Sequence, residues 1–456
     1  MLNQLKEYFE GKKILMLGFG VEGQSTYRLL RKIFPDELLH IADITEGLEK
    51  MEIISKDLQT LNLQLGADYL KNIGNYDMVI KAPGISLKNI PGADFSKFTS
   101  HTELFIRFFR DQIIGITGTK GKSTTSSLIH HILKSYDENC LLVGNIGIPP
   151  FDLLESINKD TKIIYELSSH QLEQVRVSPH IAVLLNLFEE HLDHYKTFEN
   201  YQKAKFNISM FQDSNDFFIF NADDPRIESL LAESPLKSKL IKFSLSQKVE
   251  KGCYIHDNKV FYQDTEVVEI FNKTAFTNLI GEHNLLNIMA AVCASVRSGI
   301  PAKDIATAVE SFRPLEHRIE FVGKFDDILF YNDSISTIPE AAIAAVKALK
   351  SVDTLILGGF DRGISYDFLI DFLSNSTIRN LVFIGEAGKR MLGIYKSGNF
   401  ANKNTFLAFD FEEAVIFAKS HTEKNKICLL SPAAASYDMF KNFAERGVKY
   451  KQLVRK

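Results

Sequence analysis

Short β-rich runs alternate with longer amphipathic stretches along almost the whole chain: "KKILMLG" then "GQSTYRLLRKI", "QIIGITG" then "STTSSLIHHILKS", and later "DTLILGG", "NLVFIG" and "KICLLSP". A strand needs hydrogen-bonding neighbours and an amphipathic helix needs an apolar surface to cover. The alternation therefore predicts an α/β fold of parallel sheets flanked by helices. At 456 residues the chain exceeds a single ordinary core, and two to four domains of roughly 100–200 residues are expected. Three blocks separate. Residues 1–101 form a Rossmann-like block that ends where "TELFIRFFRD" reads as a connecting helix. Residues 102–314 form a central block on a parallel sheet, with a β-rich insertion, "CYIHDNKVFYQDTEVVEIFNKTAFTNL". Residues 315–456 form a second Rossmann-like α/β block. No repeat or low-complexity linker intervenes, so short joints are expected to let the domains close on one another.

The formal charge of −4 is spread over mixed acids and bases, which argues against nucleic acid as a partner and leaves room for a small anion at a local site. Cys140, Cys253, Cys293 and Cys428 form no CxxC pair and no zinc spacing, and read as buried thiols in a reducing compartment. The opening "MLNQLKEYFEGKK" carries no apolar signal core, and no run approaches the roughly 20 apolar residues of a membrane helix. A cytoplasmic location without membrane insertion is expected.

"GITGTKGKST" at residues 115–124 puts a glycine-rich turn between a strand and a helix. Gly118 and Gly121 let the backbone turn and aim N–H groups at phosphate oxygens, Lys122 reaches the β- and γ-phosphates, and the Ser123 hydroxyl suits magnesium. The following helix adds its positive end. The spacing departs from GxxxxGK[ST], because Ile116 stands where the first glycine belongs and Gly115 lies one residue further back. A second glycine turn, "GFGVEG", offers Gly18, Gly20 and Gly23 after "KKILML", with Asp43 about 20 residues on, where a ribose-binding acid sits in dinucleotide sites. Two such turns suggest two nucleotide-bearing ligands, one consumed and one carried as a handle on the substrate.

Other candidates follow strands of the central block. Glu166 ends the apolar run of "TKIIYELSSHQLE", and Glu190, His191, Asp193 and His194 cluster just beyond "HIAVLLNL". The cluster reads either as a metal neighbourhood or as a solvated turn. Lys205, on an expected helix, reads by itself as a surface charge, and a lysine near its ordinary pKa of about 10.4 repels magnesium.

Taken in order, "GFGVEG", "APGIS", "GITGTKGKSTT", "GNIG", "ELSSHQLE", "EEHLDHY", "YQKAKFNI", "NADDP", "GEHNLLN", "EHRIE", "NDS", "LILGG" and "LLSPAAASYDMFKNFAERG" resemble the Mur ligases, ATP-dependent enzymes that add amino acids to UDP-N-acetylmuramoyl precursors of peptidoglycan. The similarity covers essentially the whole chain and is greatest to the branch that adds D-glutamate to UDP-N-acetylmuramoyl-L-alanine. The resemblance implies that the first block binds UDP, not NAD, through Gly20, Val21 and Gly84, with Asp43 and Thr45 near uracil. It implies a central P-loop ATP site at Gly118, Thr119, Lys120, Gly121, Lys122, Ser123 and Thr124. Ser123 and Glu166 would hold one magnesium, and His191 with a carbamylated Lys205 a second; a carbamate turns the cation into an oxygen ligand for a hard ion. Asn145 and Ser168 are implied to position substrate, Asn284 to face adenine, Arg318 the phosphates and Asp333 the ribose. Thr337, Arg362, Ser436 and Phe443 are implied to line the amino-acid pocket. The implied catalytic set is Lys122, Glu166, His191 and Lys205, the implied substrates are UDP-N-acetylmuramoyl-L-alanine and glutamate, and the expected assembly is a monomer. The implied chemistry runs through an acyl phosphate.

The chain departs from that branch on the amino-acid side. "NDSIST" places Ile335 where a lysine is common, and Arg362 in "GGFDRGISYD" stands for another pocket lysine. Arginine grips a carboxylate as a fork where lysine acts as a point charge, which leaves L-glutamate or another amino acid as an alternative. Glu22 is an acid beside an expected diphosphate, acceptable there if only backbone meets the ligand. A folylpolyglutamate synthase fits less well because it lacks the leading glycine block, and the "DNPR" signature of diaminopimelate-adding relatives is absent. A nicotinamide-dependent oxidoreductase and a nucleotide-gated binding module are the readings from other classes.

Overall fold

The computed structural model describes residues 1–85, 94–145, 148–272, 279, 281–313, 316–349, 351–398 and 403–456, and for Asp193 the backbone alone. Ser86 of "APGIS", the Ile146–Gly147 pair of "GNIG" and the expected boundary at 314/315 lie outside these residues.

The first sheet holds β1 (Ile14–Leu17), β2 (Leu39–Asp43), β3 (Leu61–Leu65), β4 (Met78–Lys81) and β5 (Phe98–Ser100) in the order β3-β2-β1-β4-β5, with every pairing parallel. The four apolar residues of β1 are all buried, as a strand covered on both faces requires. From β1 the chain crosses outward to β2 and β3, then returns to β4 on the other side. Loops after β1 and β4 therefore diverge at their carboxyl ends and leave a crevice between them. The stretch "TELFIRFFRD" forms the expected connecting helix, His101–Phe109, whose Ser100 cap accepts a hydrogen bond from the Glu103 N–H.

The second sheet holds β6 (Ile113–Thr117), β7 (Cys140–Gly144), β8 (Lys162–Glu166), β9 (Ile181–Leu184), β10 (Phe217–Asn221), β11 (Lys239–Ser244), β12 (Gly252–His256), β13 (Lys259–Gln263) and β14 (Val267–Asn272), ordered β14-β13-β12-β11-β10-β9-β6-β8-β7. The expected parallel central sheet runs from β6 to β12, and within the β-rich insertion β13 and β14 are added antiparallel. The cause is local: β12 and β13 are joined by Asp257 and Asn258, both at positive φ, and so tight a turn can only reverse the chain. The β-rich insertion is thus an extension of the sheet.

The third sheet holds β15 (Glu320–Phe325), β16 (Ile328–Asn332), β17 (Val352–Gly358), β18 (Asn380–Ile384), β19 (Asn404–Ala408) and β20 (Ile427–Leu430), ordered β15-β16-β20-β17-β18-β19. All pairings are parallel except β15 with β16, which turn at Asp326 and Asp327. Alternate residues serve two cores, Leu355 and Leu357 on one face and Ile356 on the other, the period of two that a strand imposes.

The chain divides into two compact units, Met1–Thr277 with Glu282–Phe312, and Asn278–Gly281 with Arg313–Lys456. The first two sheets share the first unit because one apolar core runs through both. Phe105 of the connecting helix meets Phe151 and Tyr165 edge-on, with ring centroids 5.3 and 5.8 Å away. The four cysteines are buried and unpaired by disulfides. Among the described residues no helix is long and apolar enough to cross a membrane.

Candidate active site

Gly118–Gly121 connects β6 to the helix Lys122–Tyr136. Gly121 has φ +86° and a Cβ there would lie 2.2 Å from Asn287 Oδ1, so the loop fits closely on the helix Glu282–Arg297. The N–H groups of Thr119 and Lys120 donate to the backbone and side-chain oxygens of Asn186 at 2.9 and 2.8 Å. These two amides hold the loop in shape. Donors for an anion therefore come from the first helical turn at Ser123 and Thr124, whose amides have no intrahelical acceptor. Lys122 folds back over the loop, its Nζ donating to the Gly118 and Thr119 carbonyls at 2.9 and 3.0 Å. Asn284 stands one turn before Asn287 and accepts a hydrogen bond from it at 3.2 Å, which puts it on the helix that backs the loop.

Glu166 is the last residue of β8, in register with Ile116 of β6, two residues before the loop begins. It is fully buried. Oε1 accepts from Asn145 Nδ2 at 2.9 Å, and Oε2 is buried without a hydrogen-bond partner among the described residues. An orphaned carboxylate oxygen in such a place is costly unless a cation completes it. Ser168, two residues on, caps the short helix Ser169–Leu172 in a reciprocal capping box with Gln171.

Lys205 is not the surface charge that its type suggests: it is 2 % exposed. On the helix Phe198–Met210 it lies one turn beyond Tyr201, so both project from one face. The Tyr201 hydroxyl is 3.0 Å from Thr119 Oγ1, and Lys205 Nζ donates to the Gly118 carbonyl at 2.9 Å. Burial, reinforced by the nearby Lys122 charge, holds the Lys205 ammonium well below its ordinary pKa, against the opposing pull of Glu190 and Glu166. Both causes disfavour the ammonium relative to the neutral, nucleophilic amine. Sequence reasoning missed this burial, although Tyr201, Lys205 and Ile208 fall at the helical spacing of a buried face.

The described side chains of the acidic and histidine stretch take separate partners. Among the described residues no three His, Cys, Asp or Glu side chains are grouped to hold an ion. Glu190 pairs with Lys120 at 2.5 Å and His194 with Glu173 at 3.1 Å, while the Asp193 side chain lies outside the described residues. Leu192–Tyr195 forms a short helix, and His191 and His194, three residues apart, both meet the ring of His170. His191, at φ 56° before that helix, faces His170 and Tyr201 with centroids 5.0 and 6.2 Å apart. Burial, with His194 and His191 alongside, pushes the His170 pKa down to about 4, so that ring stays neutral.

The crevice of the first sheet is a cavity of about 370 Å³. Gly20, Val21, Asp43 and Gly84 line it; Thr45 does not, and Glu22 and Tyr69 are lining residues that sequence reasoning did not assign. Gly18 has φ +95°, and a Cβ there would meet Ala82 at 2.6 Å, which is why the turns after β1 and β4 approach so closely. Asp43 accepts from the N–H groups of Phe19 and Thr45 at 2.6 and 2.7 Å and so braces the glycine turn.

In the second unit, β16, β20 and β17 are neighbours, and the loops at their carboxyl ends carry Asp333 and Thr337, Ser436, and Arg362 respectively. Arg362 donates to the Thr337 carbonyl at 2.7 Å. Asp333 is buried, accepts from Ser431 Oγ at 2.7 Å and the Ile319 N–H at 3.1 Å, and burial raises its pKa to about 6 although Arg318 opposes the rise. The Phe443 carbonyl accepts from Ser334 at 2.8 Å. Arg446, unassigned by sequence reasoning within "NFAERG", is buried and clamps two of these loops by donating to Ser334 Oγ and to the Ser334, Ala434 and Ala435 carbonyls.

A phosphate loop, a glycine-turn crevice and a third α/β sheet with polar loops at its carboxyl edge define a nucleotide-dependent enzyme class of multi-sheet build. A family model described as the Mur ligase middle domain matches residues 116–295. A UDP-N-acetylmuramoylalanine--D-glutamate ligase from Thermoanaerobacter sp. (strain X514) is 33% identical, over 98% of this chain and 98% of its own. An enzyme of the same name from Listeria innocua is 34% identical, over 97% of this chain and 96% of its own. Among solved structures, UDP-N-acetylmuramate-alanine ligase MurC from Thermotoga maritima matches with TM-score 0.55 at 18% identity, covering 97% of this chain and 99% of that one. MurF ligase from Thermotoga maritima in complex with ADP matches with TM-score 0.56 at 16% identity, covering 92% and 95%. These two establish likeness of fold. The chain belongs to the Mur ligase family, in the branch of the UDP-N-acetylmuramoylalanine–D-glutamate ligases.

Proposed function

We propose that this protein joins D-glutamate to UDP-N-acetylmuramoyl-L-alanine at the expense of ATP, in the cytoplasmic synthesis of peptidoglycan precursors, acting as a monomer. In this reading residues 1–101 hold the UDP moiety, 102–314 the ATP and 315–456 the amino acid. The observation that carries it is Glu166: a buried carboxylate with one orphaned oxygen, on the strand beside the one that feeds the phosphate loop.

The alanyl carboxylate of the acceptor attacks the γ-phosphorus of ATP, forming an acyl phosphate and releasing ADP. The amine of D-glutamate then adds to the acyl carbon, loses a proton, and expels phosphate to leave the amide. Both steps build negative charge on oxygen, and groups fixed in advance stabilise it most. Lys122 exchanges its carbonyl contacts for phosphate oxygens, the first-turn amides hold the phosphates, and Asn145 orients Glu166. Ser123 and Glu166 suit one magnesium ion, and His191 with carbamylated Lys205 a second. Magnesium when bound supplies electrophilic stabilisation of the phosphoryl oxygens. Carbamylation is supported by the burial of Lys205, which disfavours its ammonium: the neutral amine adds to CO2 and loses a proton, leaving an anionic oxygen donor. Arg362, tethered to Thr337, fits the side-chain carboxylate of the incoming amino acid, and Asn284 fits the adenine of ATP.

The test is phosphate release from ATP with UDP-N-acetylmuramoyl-L-alanine against a panel of D- and L-amino acids. Release with D-glutamate, absent without the acceptor, supports the reading. Preference for L-glutamate or a non-acidic amino acid would move the specificity, and no release with any of them would end it.

A further inference from the structure

Tyr201 is fully buried on the helix Phe198–Met210, and a tyrosine hydroxyl in such a place needs a polar partner. It meets Thr119 Oγ1 of the phosphate loop at 3.0 Å. Thr119 is also fixed by the segment after β9: its hydroxyl accepts from the Phe188 N–H at 2.9 Å, and its own N–H donates to the Asn186 carbonyl at 2.9 Å. The Tyr201 ring has its own supports. Tyr195 stands edge-on to it with centroids 5.4 Å apart, and Phe198 stacks on it at 6.2 Å.

Lys205 follows Tyr201 by one helical turn, and its Nζ lies over the Tyr201 ring, 4.9 Å from the centroid. The same Nζ donates to the Gly118 carbonyl. One helix face therefore reaches two consecutive residues of the loop, Gly118 through an amine and Thr119 through a hydroxyl, and the tyrosine ring sets the path of the amine. Lys122 is the third side chain on this pair and holds it through both carbonyls. Those contacts end when Lys122 turns to a phosphate. The Tyr201 contact needs no such exchange, because it touches neither a carbonyl that Lys122 uses nor an amide of the first helical turn.

We infer that Tyr201 is a positioning residue of the nucleotide site: through Thr119 and Lys205 it holds the phosphate loop in its binding shape after Lys122 has left the Gly118 and Thr119 carbonyls. This rests on the reading of the loop as the ATP site. Tyr201 itself touches no reacting atom. A loop held in advance loses less freedom on binding, so removing the tether weakens ATP binding. The first-sheet cavity, whose lining does not include Tyr201, keeps its affinity for the acceptor.

The test is calorimetric titration of the full chain, with magnesium present, by ATP alone and by UDP-N-acetylmuramoyl-L-alanine alone. Tyr201→Phe keeps the ring and removes the hydroxyl. It is expected to weaken ATP binding about fivefold, the worth of one buried hydrogen bond, and to leave acceptor binding unchanged. Thr119→Val removes the other end of the bond, and the double variant is expected to bind ATP no more weakly than Thr119→Val alone, because both changes delete one interaction. Lys205 supplies a readout that needs no nucleotide, the rate at which cyanate modifies its amine, followed by mass spectrometry. That rate should be unchanged in Tyr201→Phe and several-fold faster in Tyr201→Leu, which uncovers the amine. Should Tyr201→Leu not fold, Tyr201→Phe and the double variant decide. Tyr201→Phe binding ATP like the wild type, equal losses for both ligands, or losses that multiply in the double variant each overturn the inference, and an unchanged cyanate rate in a folded Tyr201→Leu overturns its Lys205 half. Failure of the parent reading looks different: the wild type then binds no ATP.

Discussion

Lys205 Nζ donates to the Gly118 carbonyl at 2.9 Å across 87 residues of sequence, so the one lysine buried on its helix closes on the first residue of the phosphate loop. A buried ammonium is costly to keep charged, and Lys122 close by makes it costlier. In the proposed mechanism a carbamate would replace that cation by an anionic oxygen donor. Lys205→Ala should lower turnover by about 10²–10³-fold, the size of losing one fixed electrostatic contact to a transition state. Acetate or formate should restore part of it. Phosphate release measures both, and an alanine variant with full activity would remove Lys205 from the mechanism.

Glu166→Gln preserves volume and the Asn145 side and deletes the charge. The magnesium concentration for half-maximal activity should rise about 10–100-fold, the range seen when a metal site loses a supporting group. Titrating magnesium at saturating ATP reads this directly, and an unchanged midpoint would take Glu166 out of the metal site.

Gly121→Ala strains a residue at φ +86° and drives Cβ into Asn287. The expected cost is on the order of 1–3 kcal/mol in urea unfolding, with a raised KM for ATP and an unchanged KM for the acceptor. Equal rises in both would mean that the loop does not serve ATP alone.

Much of this site was legible in the chain, and what was not has physical causes. Gly121, Lys122 and Glu166 follow apolar runs that can only be strands, so their place at strand ends is readable from local pattern. Lys205 and Glu22 are long-range cases: the character of each depends on Gly118 or Gln171, brought close by tertiary packing that residue type does not encode. The stretch from Glu190 to His194, readable in sequence either as a metal neighbourhood or as a solvated turn, takes its partners from afar: Lys120 for Glu190, Glu173 for His194, and His170 against both His191 and His194. The three blocks each carry the expected sheet, and what local pattern does not show is the apolar core through which Phe105, Phe151 and Tyr165 join the first two.

Glu22 also predicts a stability profile. Its folded pKa of about 7 lies above the ordinary 4.5, so the unfolded chain releases this proton first. Its contribution is fully present below pH 4.5 and is lost as pH rises to about 7. Glu22→Gln should therefore gain on the wild type between those values by up to about 3 kcal/mol and hold a constant lead above them. Urea midpoints across pH 4–9 check it, and parallel curves for the two proteins would refute it.

Arg362→Lys exchanges a planar fork for a point charge. The KM for D-glutamate should rise about tenfold, the worth of one charge-assisted hydrogen bond, with the KM for ATP unmoved. A variant unchanged in both would place the carboxylate contact elsewhere.

The central claim is that a carboxylate is activated by direct phosphorylation. Acceptor labelled with ¹⁸O in both oxygens of its alanyl carboxylate should, after turnover with D-glutamate, yield inorganic phosphate carrying one ¹⁸O and an amide retaining the other. Phosphate free of label, with both heavy oxygens unaccounted for in it, would show that no acyl phosphate forms and would contradict the account.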